Sequence, residues 1–262
     1  MNTGSILLTL ALVLSLSGCA SGPKTAQENR DDANLKQASA TNVQLGVGYL
    51  RRGQYEIAKE KLQKAIDQDP KNIDAYTTMA FLLIQLDELE EVEEYYRAAL
   101  KVKEKDPGLR NSYGAYLCRV ERTEDALEQF KLAYSSPYYK TAFLAYANAG
   151  TCLFQADRYE EAEVMLRKAL KLQPELPDAL ISMAELAIAT ENYMKSRAYI
   201  QRYHAGSKAS AESLWVQVQA ERALGAKQHY YKYARQLLAE FPESEQAELV
   251  EELARRDRIK RY

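Results

Sequence analysis

From residue 39 onward the apolar and small positions of the chain repeat in register. Leu45-Gly46, Tyr49, Gly53-Gln54-Tyr55, Ala58, Leu62, Ala65 and Asp69-Pro70 mark out one helix-turn-helix unit of 34 residues. Sliding that frame along the chain predicts six units, at 39–72, 73–106, 107–142, 143–176, 177–210 and 211–242. Self-similarity at such a period means stacked hairpins that bury a continuous core only together. One column is small in the first helix: Gly46, Ala80, Gly114, Gly150, Ala184, then Val218. Its counterpart in the second helix is Ala58, Val92, Ala126, Ala162, Ser196, then Tyr230. Small residues there let the two helices of a hairpin approach closely, and the larger Leu62, Tyr96, Phe130, Leu166 and Ile200 pack against them.

Proline closes units one, four and six at Pro70, Pro174 and Pro242, where it cannot continue an interior helical turn. Pro107 and Pro137 are expected to do the same near the ends of units two and three. The sixth unit is the most degenerate, as terminal units of a solenoid are. Residues 243–262 read as one further helix, whose stripe Ala247, Leu249, Val250, Leu253 and Ile259 would cap the open edge. This spacing resembles that of the tetratricopeptide repeat. The predicted fold is therefore all-α: a right-handed superhelical solenoid of six such repeats with a C-terminal capping helix.

The residues before the repeats change character twice. Ile6 to Leu16 is an apolar run too short for the roughly 20 residues that cross a bilayer as a helix, and it has the length of a signal-peptide core. Met1 to Ser5 holds no Lys or Arg, so positive charge ahead of the run comes from the amino terminus. Leu16-Ser17-Gly18-Cys19 resembles the lipobox of bacterial lipoprotein signals. Residues 1–18 are thus expected to be a lipoprotein signal peptide, and Cys19 the lipidated first residue of the mature chain. Ala20 behind it, in place of Asp, resembles the sorting rule for the outer membrane, so the expected location is the periplasmic face of that membrane. Residues 19–38 are polar and poor in large apolar groups, and are expected to form a flexible tether.

Composition sharpens this picture by exclusion. Eleven Gly and seven Pro are few for 262 residues, so the bias is helical. With 35 basic and 37 acidic side chains the net charge is −2, which leaves no global field to gather nucleic acid, and any partner must be recognised locally. Only two histidines occur, His204 and His229, without further ligands at metal spacing, and no glycine-rich phosphate loop exists. No metal, cofactor or small-molecule substrate is expected, and the chain is not read as an enzyme.

Solenoids bind partners on the concave face lined by their first helices. The inward positions there are Val43, Val47 and Leu50 in unit one, Thr77, Phe81 and Ile84 in unit two, and Asn111, Ala115 and Arg119 in unit three. They predict an apolar amino-terminal groove with Asn111 and Arg119 as polar pegs, suited to an amphipathic helix or a strand with apolar anchors. In later units the inward positions become Ala147, Thr151, Phe154 and Gln155, then Ile181, Glu185 and Ile188, then Trp215, Gln219 and Arg222, with core packing the favoured role for Trp215. Cys118 and Cys152 fall on the first helices of adjacent units. Their thiols are either bonded to each other or two small buried hydrophobes.

Signal, lipobox, polar tether and six repeats together resemble the type IV pilus biogenesis and stability lipoproteins, the PilF/PilW pilotin family. The stretches Asn111-Ser112-Tyr113-Gly114-Ala115-Tyr116-Leu117-Cys118 and Tyr146-Ala147-Asn148-Ala149-Gly150-Thr151-Cys152 carry that resemblance beyond the generic repeat. What it implies is a chaperone-like role: binding the secretin, the ring-shaped pore through which the pilus emerges, and promoting its outer-membrane localisation and multimerisation. The acyl chains on Cys19 would supply the membrane anchor. Outer-membrane repeat proteins of this kind also scaffold peptidoglycan synthesis or β-barrel assembly, which is the alternative reading.

Overall fold

A computed structural model of the chain describes residues 25–256. The signal segment, Cys19 and the first part of the expected tether lie outside the described residues, as does Ile259. Thirteen α-helices follow one another among the described residues, paired as hairpins: α1 (Ala26–Leu50) with α2 (Tyr55–Gln68), α3 (Ile73–Gln85) with α4 (Val92–Val102), and α5 (Pro107–Arg119) with α6 (Thr123–Tyr134). Then come α7 (Ala142–Gln155) with α8 (Tyr159–Leu172), α9 (Pro177–Ala189) with α10 (Tyr193–Gly206), and α11 (Ala211–Ala223) with α12 (Lys227–Glu240); α13 (Glu245–Arg256) ends the series.

Each hairpin turns in the same way. Gly53, Asp87, Glu121, Asp157, Glu191 and Gly225, all fifteenth in their units, adopt positive φ between 56° and 71°. This left-handed residue lets the chain reverse, and the next amide bonds back to a carbonyl five residues earlier, as in Arg122 to Leu117 (2.9 Å) and Ala226 to Glu221 (3.0 Å). Glycine fills the position at no steric cost in units one and six, whereas Asp or Glu occupies it in the other four. Pro107 does not end unit two. It opens α5 just after Asp106, whose side chain accepts the Leu109 amide at 3.0 Å, and Pro177 opens α9 likewise. Proline costs nothing at a first helical position because that amide has no partner within the helix.

The small column works by close approach. A β-carbon built on Gly46, Gly114 or Gly150 would lie 2.8 Å from Leu62, 2.7 Å from Phe130 or 2.6 Å from Leu166, closer than real contacts allow. Phe130, Leu62 and Leu166 are fully buried, so the neighbour has nowhere to go. Gly150→Ala is therefore expected to cost about 1–3 kcal/mol by overpacking. Urea denaturation checks this, and an unchanged midpoint would show that α7 and α8 can separate freely.

One feature differs from expectation at the amino end. Residues 26–38 are not an irregular tether but the exposed first turns of α1. A capping box starts them: Glu28 N–H donates to Thr25 Oγ1 (3.2 Å) and Thr25 N–H to the Glu28 carboxylate (2.6 Å), with Gln27 bonded to Asp31 one turn on. Packing begins only at Ser39, which is buried and donates to the Ala65 carbonyl at 2.7 Å. Low hydrophobicity removed a reason to pack but not the local reasons to be helical. At the other end α13 places Ala247 and Val250 against Leu214, Val218, Tyr230 and Leu237, covering the sixth hairpin.

Candidate functional site

The first helices of units three to six enclose an elongated concave cavity of about 1120 Å³. Its walls follow the repeat. Ala115, Thr151 and Glu185 are each ninth in their units, and Asn148 and Ser182 each sixth, so equivalent side chains line up across α5, α7 and α9. Phe154 and Ile181 supply apolar surface, and Glu212 closes the far end from the first turn of α11.

Successive helices of this wall are joined side by side. Asn148 Nδ2 donates to Asn111 Oδ1 at 3.1 Å, and a disulfide links Cys118 of α5 to Cys152 of α7 with Cα atoms 5.7 Å apart. Thr151 and Ser182 share a hydrogen bond of 3.0 Å between α7 and α9. Glu185 of α9 and Glu212 of α11 lie close enough in the cavity for their carboxyls to act on each other. Cross-links of this kind hold the groove's curvature and reduce the ordering cost when something binds.

The nine residues predicted to form the groove divide three ways. Ala115 and Arg119 line the cavity, and Asn111 supports it through Asn148. Phe81 is 48% exposed and holds the same ninth position as Ala115, so it extends the column toward the amino end. Thr77 Oγ1 is turned back onto the Ile73 carbonyl at 3.1 Å. Val43 is core: it is buried against Ala65 and Ala75, with Val47 packed beside it. Leu50 and Ile84 are partly buried and pack on the main hydrophobic cluster. Of the five apolar residues expected in the groove from units one and two, Phe81 is the exposed one. Trp215 packs on the cluster under α13.

Ser182, Asn148 and Glu212 escaped the sequence reading. Asn148 and Ser182, both sixth in their units, line the cavity, whereas Ala147, the fifth residue of unit four, is buried. No group of three or more His, Cys, Asp or Glu among the described residues is placed to hold a metal. No described helix is long and apolar enough to cross a membrane.

Glu185 is the one strongly perturbed acid of the cavity. Burial, and then the charge and hydrogen bond of Glu212, push its carboxyl up to about 7. Two carboxyls at one site cannot both ionise cheaply. The folded state therefore keeps a proton that the unfolded chain releases, and the resulting stabilisation is complete at pH below the ordinary glutamate range and lost as pH rises through about 7. Glu185→Gln is expected to melt lower than wild type near pH 5 and to close that gap, or reverse it, at pH 8. A melting difference independent of pH would show that the carboxyls do not share a proton.

Comparison with known proteins agrees with this geometry. A tetratricopeptide-repeat family model matches residues 24–175, and a second matches residues 153–205. The type IV pilus assembly protein PilF of Pseudomonas aeruginosa is 27% identical over 241 residues, covering 90% of this chain and 94% of that protein. The crystal structure of PilW, a type IV pilus biogenesis factor, superposes with a TM-score of 0.74 at 30% identity, over 82% of this chain and 98% of that one. The structure of P. aeruginosa PilF gives 0.70 at 27% identity, over 83% and 98%.

Proposed function

The chain belongs to the tetratricopeptide-repeat family and, within it, to the type IV pilus biogenesis factors typified by PilF and PilW, and we propose from this that it is a pilotin: an outer-membrane lipoprotein that binds secretin subunits and promotes their localisation and multimerisation. The observation that supports the reading is the cross-linked concave cavity of about 1120 Å³, large enough for a stretch of partner chain. Diacylglycerol and fatty acyl groups on Cys19 would anchor the protein to the periplasmic face, and the helical extension of α1 would lift the solenoid from the membrane. Confinement to the membrane in which the secretin assembles raises the effective concentration of the pair.

The deciding measurement is the state of the secretin, as heat-resistant multimer or monomer, in cells carrying wild-type protein, Cys19→Ser or no protein. The pilotin reading expects multimers to disappear without the protein and to be mislocalised with Cys19→Ser. Normal multimers in all three would send the function to the peptidoglycan or β-barrel scaffold instead. Within the groove, Phe81→Asp is expected to weaken secretin capture at least tenfold. Because Phe81 is about half exposed, helical content and melting should remain near wild type. A collapsed fold would make Phe81 a core residue.

A further inference from the structure

The chain is nearly neutral overall, but its cavity is not. Glu121, Asp178, Glu185 and Glu212 line it, against one cation, Arg119, whose guanidinium already lies 3.2 Å from Asp87. Elsewhere the fold neutralises its joint-forming carboxylates. Glu93 of α4 meets Arg122 at 2.9 Å and Arg97 at 2.8 Å, Glu163 of α8 meets Lys195 at 2.7 Å and Arg167 at 2.6 Å, and Arg158 bridges Glu124 and Glu161. None of the ion pairs among the described residues takes in Glu185, Glu212 or Asp178. The carboxylates that hold units together have internal cations, and those facing the cavity at units five and six have none.

We propose that this end of the groove receives a protein segment carrying a Lys or Arg side chain, which pairs with Glu185 and Glu212 while a neighbouring apolar residue of the same segment sits on Ile181 and Phe154. The proposal rests on the groove being the partner site. A cation inserted there would relieve the repulsion between the two carboxylates and would be only partly hydrated, conditions under which a charge pair contributes most to specificity. A bare metal ion suits the place poorly, since no third ligand joins the two acids and the cavity holds far more than an ion. An acidic segment is excluded by like charge.

The test starts from a random twelve-residue peptide library displayed on phage, selected on the full chain in detergent at pH 8. Enrichment of Lys or Arg next to an apolar residue is expected. The best synthetic peptide should bind at least tenfold more weakly to Glu185→Gln/Glu212→Gln, with the variant's helical content intact and its melting at pH 8 no lower than wild type. Changing the peptide's basic residue to Gln should cost as much on wild type and nothing further on the variant. Peptides without a basic residue, equal binding to the variant, or no selected binder overturn the proposal. Titration of the cognate secretin's periplasmic domains into the same proteins separates the two ideas. Basic peptides bound but secretin not bound leaves this proposal and removes the secretin reading; secretin bound equally by wild type and variant removes only this proposal.

Discussion

Arg197→Ala is expected to lower stability by about 3 kcal/mol. Glu221 of α11 is only 2% exposed, yet it accepts two hydrogen bonds from the Arg197 guanidinium of α10, at 2.9 and 2.5 Å, and a third from Gln217. Removing the arginine leaves the Glu221 carboxyl without its cation in the joint between the fifth and sixth hairpins, and the desolvation already incurred by Glu221 is no longer offset. Since repeats contact only their neighbours, the loss should be local, so that α11 to α13 unfold at lower urea than the rest and the transition broadens. Arg197→Met/Glu221→Leu should recover most of the stability, because a well-packed apolar pair can replace a buried ion pair at little cost. A single-variant loss below about 1 kcal/mol would show that water reaches Glu221.

The second large effect concerns the groove wall. Cys118→Ala/Cys152→Ala is expected to cost about 3–4 kcal/mol, from the chain entropy released when a bridge spanning 34 residues is opened. Cys152 is almost fully buried and alanine fills its place with little void, so the loss belongs chiefly to the unfolded state. Thermal melts with and without dithiothreitol separate the contributions: the reductant should bring wild type down to the variant and leave the variant unmoved. A variant as stable as oxidised wild type would mean that the Asn111–Asn148 bond and helix packing alone define the spacing of α5 and α7.

How far the sequence could be read depended on the kind of question. The hairpins were legible because two independent signals agree through the first five units: a small residue opposite a large one, and a turn recurring every 34 residues, or 36 between units three and four. Which inward residue faces the groove was less legible. On a helix, one residue of frame error turns a side chain by about 100°, the angle between facing the cavity and facing the next hairpin. Val43 is buried against Ala65 and Ala75, and Leu50 and Ile84 pack in part on the main cluster, while Ala115 and Arg119 line the cavity. The helical start of α1 was hidden for another reason, since exposed turns held by a capping box leave no apolar stripe to detect.

By itself, then, the sequence determined the all-helical hairpin, its repetition and its close-packing column. Each of these depends on residues near one another in the chain or on a periodicity that repeats six times. Only the tertiary structure decided how charges were shared. The acids are scattered along the chain beside Lys and Arg and look alike as a string, yet Glu221 is sealed against Arg197, Glu93 and Glu163 bind cations of the next hairpin, and Glu185 is left beside Glu212 with no cation at all. Partners that lie a whole repeat apart are chosen by the stacking angle of the hairpins, and no local pattern encodes that angle.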